Sequence, residues 1–245
     1  MRRYILLVII LAVLVGLTVW LTAIGSVGMF QMAPPGKVMT SMLRHLQIVA
    51  AAEGLAILVG IPIGFISTRK AFRYASPVLI GTANVGQTVP TLAFIGIAGA
   101  VLGMGYNAAV IALFVYAILP IIRNTYAGIR SVSPAVIEAA QGMGMSKAQV
   151  TWRVELPLAR PVILAGIRTS TVVNVGTAAV AGMIGAGGLG ELIVTGIAVR
   201  VTELILQGAA PTAALAIILD AILEGVEEIV TPRGLKVMKQ AQLAG

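Results

Sequence analysis

Long apolar runs separated by short polar or glycine-rich breaks occupy most of this chain. Residues 5–24 carry no charge over twenty positions, and about 20 apolar residues in a helix cross the hydrocarbon core of a bilayer. The pattern predicts six spans, at about 5–24, 46–66, 77–101, 107–122, 161–182 and 208–230. Because these runs do not alternate between apolar and polar residues, they are not the strands of a transmembrane β-barrel.

The third predicted span is interrupted by the sequence NVGQTVP at 84–90. Pro90 lacks a backbone donor, so it weakens a helix at this point. The span is therefore either one broken helix or a re-entrant turn. The sequence does not decide between these two forms.

Several polar residues fall inside the predicted spans, where charged groups are costly and are usually functional or paired. They are candidates either for lining a translocation path or for pairing between helices. These candidates are Glu53, Thr88, Pro90, Arg168, Asn174 and Asp220. For Arg168, the pairing alternatives are Glu53 and Asp220. Asp220 also shares a helical spacing with Glu224 and Glu227, so this acidic face could instead line an inner funnel or meet a basic segment.

Composition agrees with a polytopic, all-α membrane protein. Hydrophobic residues make up 58% of the 245 residues and charged residues 11%, and the mean hydropathy is +1.00. The formal charge of +8 comes from Lys and Arg in short loops, which is typical of topology signals rather than of nucleic-acid binding. With the N-terminus inside, most of this positive charge lies on the cytoplasmic side. We interpret the first run as an uncleaved helix rather than a signal peptide.

Cysteine and histidine chemistry is narrowly limited. The chain has no Cys, which excludes a disulfide framework, a Cys-ligated zinc site and a thiol nucleophile. We interpret the single histidine, His45, as an interfacial residue at a helix start rather than as a metal ligand. No HExxH or GxSxG motif is present, so nothing indicates catalysis.

A polar segment, residues 123–160, interrupts the apolar pattern. Ser133 before Pro134 predicts a capped helix start, and Gly144 is placed to end that helix in a left-handed conformation. Ser146 and Gln149 predict a capping box that opens a second helix, which Pro157 should stop. The segment is either an interfacial loop without a partner or a compact docking surface.

The polar segment also carries a family resemblance. It resembles the EAA signature of ABC importer permeases, with Val154 in place of Ile as the one departure. The matching residues are Glu138, Ala139, Ala140, Gly144, Val154, Leu156 and Pro157. The stretches QTVPTLAFIGI at 87–97 and MIGAGGLGELIVTGI at 183–197 resemble the osmoprotectant branch, whose permeases serve glycine betaine, choline, carnitine and proline. Methionine-type permeases share the core and remain the alternative.

This resemblance implies a fold, an organisation and a set of partners. The fold is a type I ABC importer permease with about six spans, in the bacterial cytoplasmic membrane. An N-terminal helix and outer loop (1–40) would precede the permease domain (41–232) and a cytoplasmic tail (233–245). The implied partners are a cytoplasmic ABC ATPase dimer docked on the polar segment, a second copy or a homologous permease, an extracytoplasmic binding protein and membrane lipids. ATP and Mg²⁺ would bind the ATPase, with no cofactor in this chain.

Two further motifs bear on the energy source. Gly185, Gly187, Gly188 and Gly190 fit a dinucleotide fingerprint, but an apolar span precedes them where a strand is required. We interpret them as a close-packed turn at the outer mouth of the path. No G-x-x-x-x-G-K-[ST] motif occurs in the sequence, so ATP cannot bind by that route. An ion-coupled secondary transporter is the rival function, which the EAA signature does not fit.

Overall fold

The computed structural model describes residues 33–72, 74, 76–78, 81–82 and 88–231; most of these residues are helical and none is in a strand. The α-helices are α1 Pro35–Ile66, α2 Thr91–Leu102, α3 Tyr106–Arg130, α4 Pro134–Gly142, α5 Lys147–Val150, α6 Leu156–Val180, α7 Leu189–Val199 and α8 Thr202–Val230. Short 3-10 turns lie at Lys70–Phe72 and Ala181–Ile184, and a π-helical turn covers Thr151–Glu155. The predicted first span and the C-terminal tail lie outside the described residues.

Three helical stretches of the described chain are long and apolar enough to cross a membrane: Gly36–Ile66, Tyr106–Arg130 and Lys147–Ile184. The helices Thr91–Leu102 and Leu189–Val199 are apolar but shorter. α8 is 29 residues long and carries the acidic residues of the predicted sixth span in its second half. The prediction of an all-α, multi-pass architecture is therefore confirmed. The helix α2 begins directly after Pro90, at the predicted break.

Helix α3 packs between α1 and α6, and glycines bring the three helices unusually close. A Cβ atom on Gly64 of α1 would lie 2.7 Å from the carbonyl oxygen of Ile122 on α3. A Cβ atom on Gly166 of α6 would lie 2.5 Å from the Cβ atom of Asn124. Without a side chain at these positions, the helix backbones approach each other in the way that stabilises helix pairs in membranes.

Two apolar cores lie along this three-helix unit, one above the other. The first is formed at the end that contains the glycine-rich turn, and includes Ile48, Leu113 and Val175. The second lies toward the polar segment, and includes Ala56, Ile121 and Ile163. Large apolar side chains also stay exposed on the outside of the helices, as expected where lipid replaces water; Leu58 is 71% exposed.

The predicted start of the second span was wrong: α1 begins at Pro35 rather than near residue 46. The helix continues past its two basic residues because both have partners: Lys37 pairs with Glu191 at 3.1 Å, and the Arg44 guanidinium lies 4.1 Å from the centre of the Tyr106 ring.

The prolines at the end of the polar segment do not separate two helices as predicted. α6 begins at Leu156 and runs through Pro157 and Pro161. Pro157 occupies the first turn, where a helix does not need its N–H group, and the π-helical turn leads directly into it. At its other end, α3 continues to Arg130, so residues 123–130 of the polar segment belong to a span.

The glycine-rich turn connects α6 to α7. Gly185, Gly187 and Gly188 all have positive φ, between 69° and 81°, which strongly favours glycine. Gly190 has an ordinary helical conformation, but a Cβ atom there would overlap the carbonyl oxygen of Ala179. The turn is close-packed.

Replacing Gly190 with Ala should therefore destabilise the protein by about 1–3 kcal/mol, because the added methyl group meets backbone that cannot rotate away. Gly176→Ala is the matched control, since a Cβ atom there meets nothing within 4 Å. Thermal unfolding of the detergent-solubilised protein should give a lower Tm for Gly190→Ala alone. Equal Tm values for the two variants would show that the turn accommodates a methyl group at residue 190.

Candidate functional site

The polar segment begins with α4, and its first turn differs from the prediction in one detail. Pro134 is the first helical residue, as expected, but the Ser133 side chain makes no capping hydrogen bond. The N–H group of Val136, which a serine cap would bind, instead donates to the backbone carbonyl of Ser133 at 3.0 Å. The start of α4 is thus held by backbone bonds.

The elbow between α4 and α5 has the predicted local structure. Gly144 has φ +84°. Its N–H donates to the carbonyl of Gln141 at 2.9 Å, and the Met145 N–H donates to the carbonyl of Ala140 at 3.2 Å, which is a Schellman motif. Ser146 follows and forms the predicted capping box with Gln149, with distances of 2.8 and 3.3 Å. These bonds fix the angle between the two short helices.

An exposed apolar groove of about 350 Å³ lies along this elbow. Its walls are Ala135, Val136, Ala139, Ala140, Met143, Met145 and Val154. Three residues of the signature therefore share one surface. Glu138 is exposed beside the groove, whereas Leu156 and Pro157 lie at the start of α6 and do not line it.

An ion pair that the sequence pattern did not predict connects this segment to α1. Arg69 donates to both carboxylate oxygens of Glu155, at 2.6 and 3.4 Å, and the Thr151 hydroxyl donates to the same carboxylate at 3.1 Å. The Arg69 guanidinium also lies 4.1 Å from the centre of the Phe65 ring. Because Glu155 is buried in the π-helical turn, this pair fastens the base of the polar segment to the end of α1.

Glu53 and Arg168 are not partners. Arg168 donates from Nε and Nη2 to the two oxygens of Asp220, and from Nη2 to Glu224 at 3.1 Å. This contact joins α6 to α8. Glu53 accepts hydrogen bonds from Ser170 and Asn174, at 3.1 and 2.9 Å.

The remaining predicted residues lie elsewhere. Thr88 and Pro90 are exposed before α2. The prediction for His45 was wrong: it is fully buried within α1, and its Nε2 lies 3.0 Å from the carbonyl oxygen of Val175. The close packing of Gly188 against the His45 backbone explains its burial. The described residues contain no group of three or more His, Asp or Glu side chains that could hold a metal ion.

Comparison with known families gives a match over most of the chain. Residues 60–234 match the model of the "Binding-protein-dependent transport system inner membrane component" family. This range includes the polar segment, the glycine-rich turn and α8.

Curated relatives cover a similar range. The chain is 42% identical over 205 residues to the choline transport system permease protein OpuBB of Bacillus subtilis, covering 84% of this chain and 94% of that protein. It is 42% identical to the glycine betaine/carnitine/choline transport system permease protein OpuCB of the same organism, with the same coverage. It is 46% identical over 180 residues to the osmoprotectant import permease protein OsmY of Salmonella typhimurium, covering 74% and 76%.

Solved structures show a similar fold. An inward-facing chain of the MetNI methionine ABC transporter aligns with a TM-score of 0.69 at 21% identity, covering 80% of this chain and 97% of that one. A chain of an amino acid ABC transporter solved with histidines aligns with a TM-score of 0.68 at 20% identity. At such identities the likeness establishes the type I importer permease fold, as the sequence predicted.

The Arg69–Glu155 pair should contribute measurably to stability. Glu155→Gln leaves the partly buried Arg69 charge without its carboxylate, which typically costs about 1.5–3 kcal/mol. Glu191→Gln breaks the exposed pair with Lys37, which should cost about 1 kcal/mol or less. Thermal unfolding and amide hydrogen exchange of 151–155 measure the difference. If both variants unfold alike, the Arg69–Glu155 pair does not anchor the polar segment.

Proposed function

Because the chain belongs to the family of binding-protein-dependent transport system inner membrane components, we propose that it is the permease subunit of an ATP-driven ABC importer for osmoprotectants with a quaternary ammonium group, such as choline and glycine betaine. The observation that carries the choice of solute is the identity of 42% over 84% of this chain to permeases for choline and for glycine betaine, carnitine and choline. With the methionine transporter the chain shares a fold, but the sequences are only 21% identical.

The polar segment supplies the surface through which ATP energy enters. Its elbow is fixed by the Schellman motif and the capping box, so it can transmit a displacement without unfolding. Its exposed apolar groove, with Met143 and Met145 in the walls, offers the adaptable contact that methionine gives to docking surfaces. Arg69 and Glu155 transfer any displacement of its base to α1. A cytoplasmic ABC ATPase dimer is the proposed occupant.

The remaining partners complete the importer. The sequence has no P-loop motif, so ATP and Mg²⁺ would bind the ATPase subunits. A second copy of this chain, or a homologous permease, would pair with it in the bacterial cytoplasmic membrane, with lipids around both. An extracytoplasmic binding protein would deliver the solute at the end that carries the glycine-rich turn. Arg168 and Asp220 pair α6 with α8, and Glu53, Thr88, Pro90 and Asn174 remain candidates for the path.

Replacing Gly144 with Val should uncouple ATP hydrolysis from transport. A β-branched residue at φ +84° is strained and would open the elbow between α4 and α5. Gly103→Val is the matched control, because Gly103 has the same φ of 84° with no atom within 4 Å of a Cβ but lies between α2 and α3, at the other end of α3. Solute transported per ATP hydrolysed, in proteoliposomes that contain the assembled importer, should fall at least about tenfold for Gly144→Val alone.

Two results would contradict this role of the polar segment. One is wild-type coupling in Gly144→Val protein that is inserted and assembled normally. The other is equal uncoupling by Gly103→Val, which would mean that backbone strain anywhere in the permease disturbs transport.

Uptake should identify the solute. Cells without other osmoprotectant importers, expressing this importer, should take up labelled choline or glycine betaine and grow better at high osmolarity. Labelled proline and methionine are the comparison solutes. Preferential uptake of methionine would overturn the osmoprotectant assignment and leave the importer function in place.

A further inference from the structure

A polar layer separates the two apolar cores of the three-helix unit. Glu53 of α1 is 6% exposed, and its hydrogen-bond donors Ser170 and Asn174 on α6 are 1% and 0% exposed. The Ser170 hydroxyl also lies 3.0 Å from the carbonyl oxygen of Ala117 on α3, so its single proton is shared between that carbonyl and Glu53. Glu53 and the Ser170 hydroxyl together thus connect all three helices at a single level.

This layer lies deep within the membrane-spanning part of the chain. Glu53, Ala117 and Ser170 are each about 20 Å along their helices from the end that joins the polar segment, at a rise of 1.5 Å per residue. A hydrocarbon core is about 30 Å thick. No Lys or Arg of the described residues forms an ion pair with Glu53, so the carboxyl group is buried here without a countercharge.

A cavity of about 310 Å³ lies beside the layer, between α3 and α6. Its lining is Tyr116, Ala117, Pro120, Thr169, Ser170, Val173 and Asn174. It opens toward Thr169 and Val173, which are exposed on α6. Glu53 does not line the cavity, but it accepts hydrogen bonds from the lining residues Ser170 and Asn174.

Three buried oxygen atoms in this region have no hydrogen-bond partner among the described residues. They are Oε1 of Glu53, Oδ1 of Asn174 and the hydroxyl of Tyr116. Buried polar atoms are almost always paired in folded proteins. When Glu53 is ionised, its Oε1 and the Oδ1 of Asn174 only accept hydrogen bonds, and no cationic side chain lines the cavity, so the region favours a ligand that carries positive charge.

We propose that this cavity is a binding site for a small organic cation with a substituted ammonium group, held by the aromatic ring of Tyr116, by Asn174 and by the charge of Glu53. The choice of ligand rests on the function proposed above, which the site would serve as a transient station along the transport path. The walls argue against a bare metal ion, because Ca²⁺ requires six to eight oxygen ligands, whereas Ala117, Pro120 and Val173 offer apolar surface. Substituted ammonium groups suit a mixed apolar, aromatic and anionic environment.

The experiment measures equilibrium binding of radiolabelled choline to the full-chain permease, assembled with its ATPases in lipid nanodiscs without the binding protein. Tetramethylammonium should compete with choline. The neutral isostere 3,3-dimethylbutan-1-ol, which has carbon in place of the charged nitrogen, should compete at least about tenfold more weakly, a difference of about 1.4 kcal/mol.

Variants test the named residues. Glu53→Gln keeps the shape of the side chain and its hydrogen bonds but removes the charge, and it should raise the Kd for choline about tenfold. Tyr116→Phe should retain binding, and Tyr116→Leu should weaken it about threefold or more, because only the leucine removes the aromatic ring. Glu203→Gln, an exposed carboxylate in the first turn of α8, is the matched control and should bind like the wild type.

The outcomes separate this site from the proposed function. A wild-type Kd for choline in Glu53→Gln, or equal competition by choline and its neutral isostere, overturns the site even where osmoprotectant uptake is normal. Glu53-dependent binding of tetramethylammonium by an importer that takes up no osmoprotectant supports the site and overturns the proposed solute.

Discussion

The close approach of α1, α3 and α6 is the constraint on which the other features depend. Gly64 lets α1 lie against the backbone of α3, and Gly166 lets α6 lie against the Asn124 side chain of α3. At this separation a buried carboxylate on α1 reaches α6 directly, and the Ser170 hydroxyl reaches the α3 backbone. Larger residues at the two glycines would move the helices apart and leave those polar atoms without partners, which is costly inside a membrane.

The same three helices carry the polar segment. α3 enters it, α6 leaves it, and the Arg69–Glu155 pair adds the end of α1. A displacement applied at the groove is therefore received by all three helices together. The Glu53 layer lies about 20 Å farther along them, where any change in helix separation alters the cavity between α3 and α6. The polar segment and the cavity are thus connected through the same three helices.

Local features could be predicted from the sequence, and contacts between distant residues could not. The left-handed conformation of Gly144 and the Ser146–Gln149 capping box were predictable because their hydrogen bonds join residues that are close in the chain. Arg69 and Glu155 are 86 residues apart, and no periodicity relates them. Pro157 was misread because a proline that stops one helix also suits the first turn of the next. His45 was misplaced because its burial depends on the backbone of Gly188, far away in sequence.

The contrast between Glu53 and Asp220 shows what tertiary packing adds. Either carboxylate was a possible partner for Arg168 by composition. In the structure Arg168 bonds Asp220 and Glu224, which leaves the more deeply buried carboxylate with only neutral donors. A carboxylate in such a place costs stability unless a positive charge compensates it. Serine or alanine at residue 53 would avoid that cost, and the cation proposed for the neighbouring cavity would compensate the charge of the carboxylate.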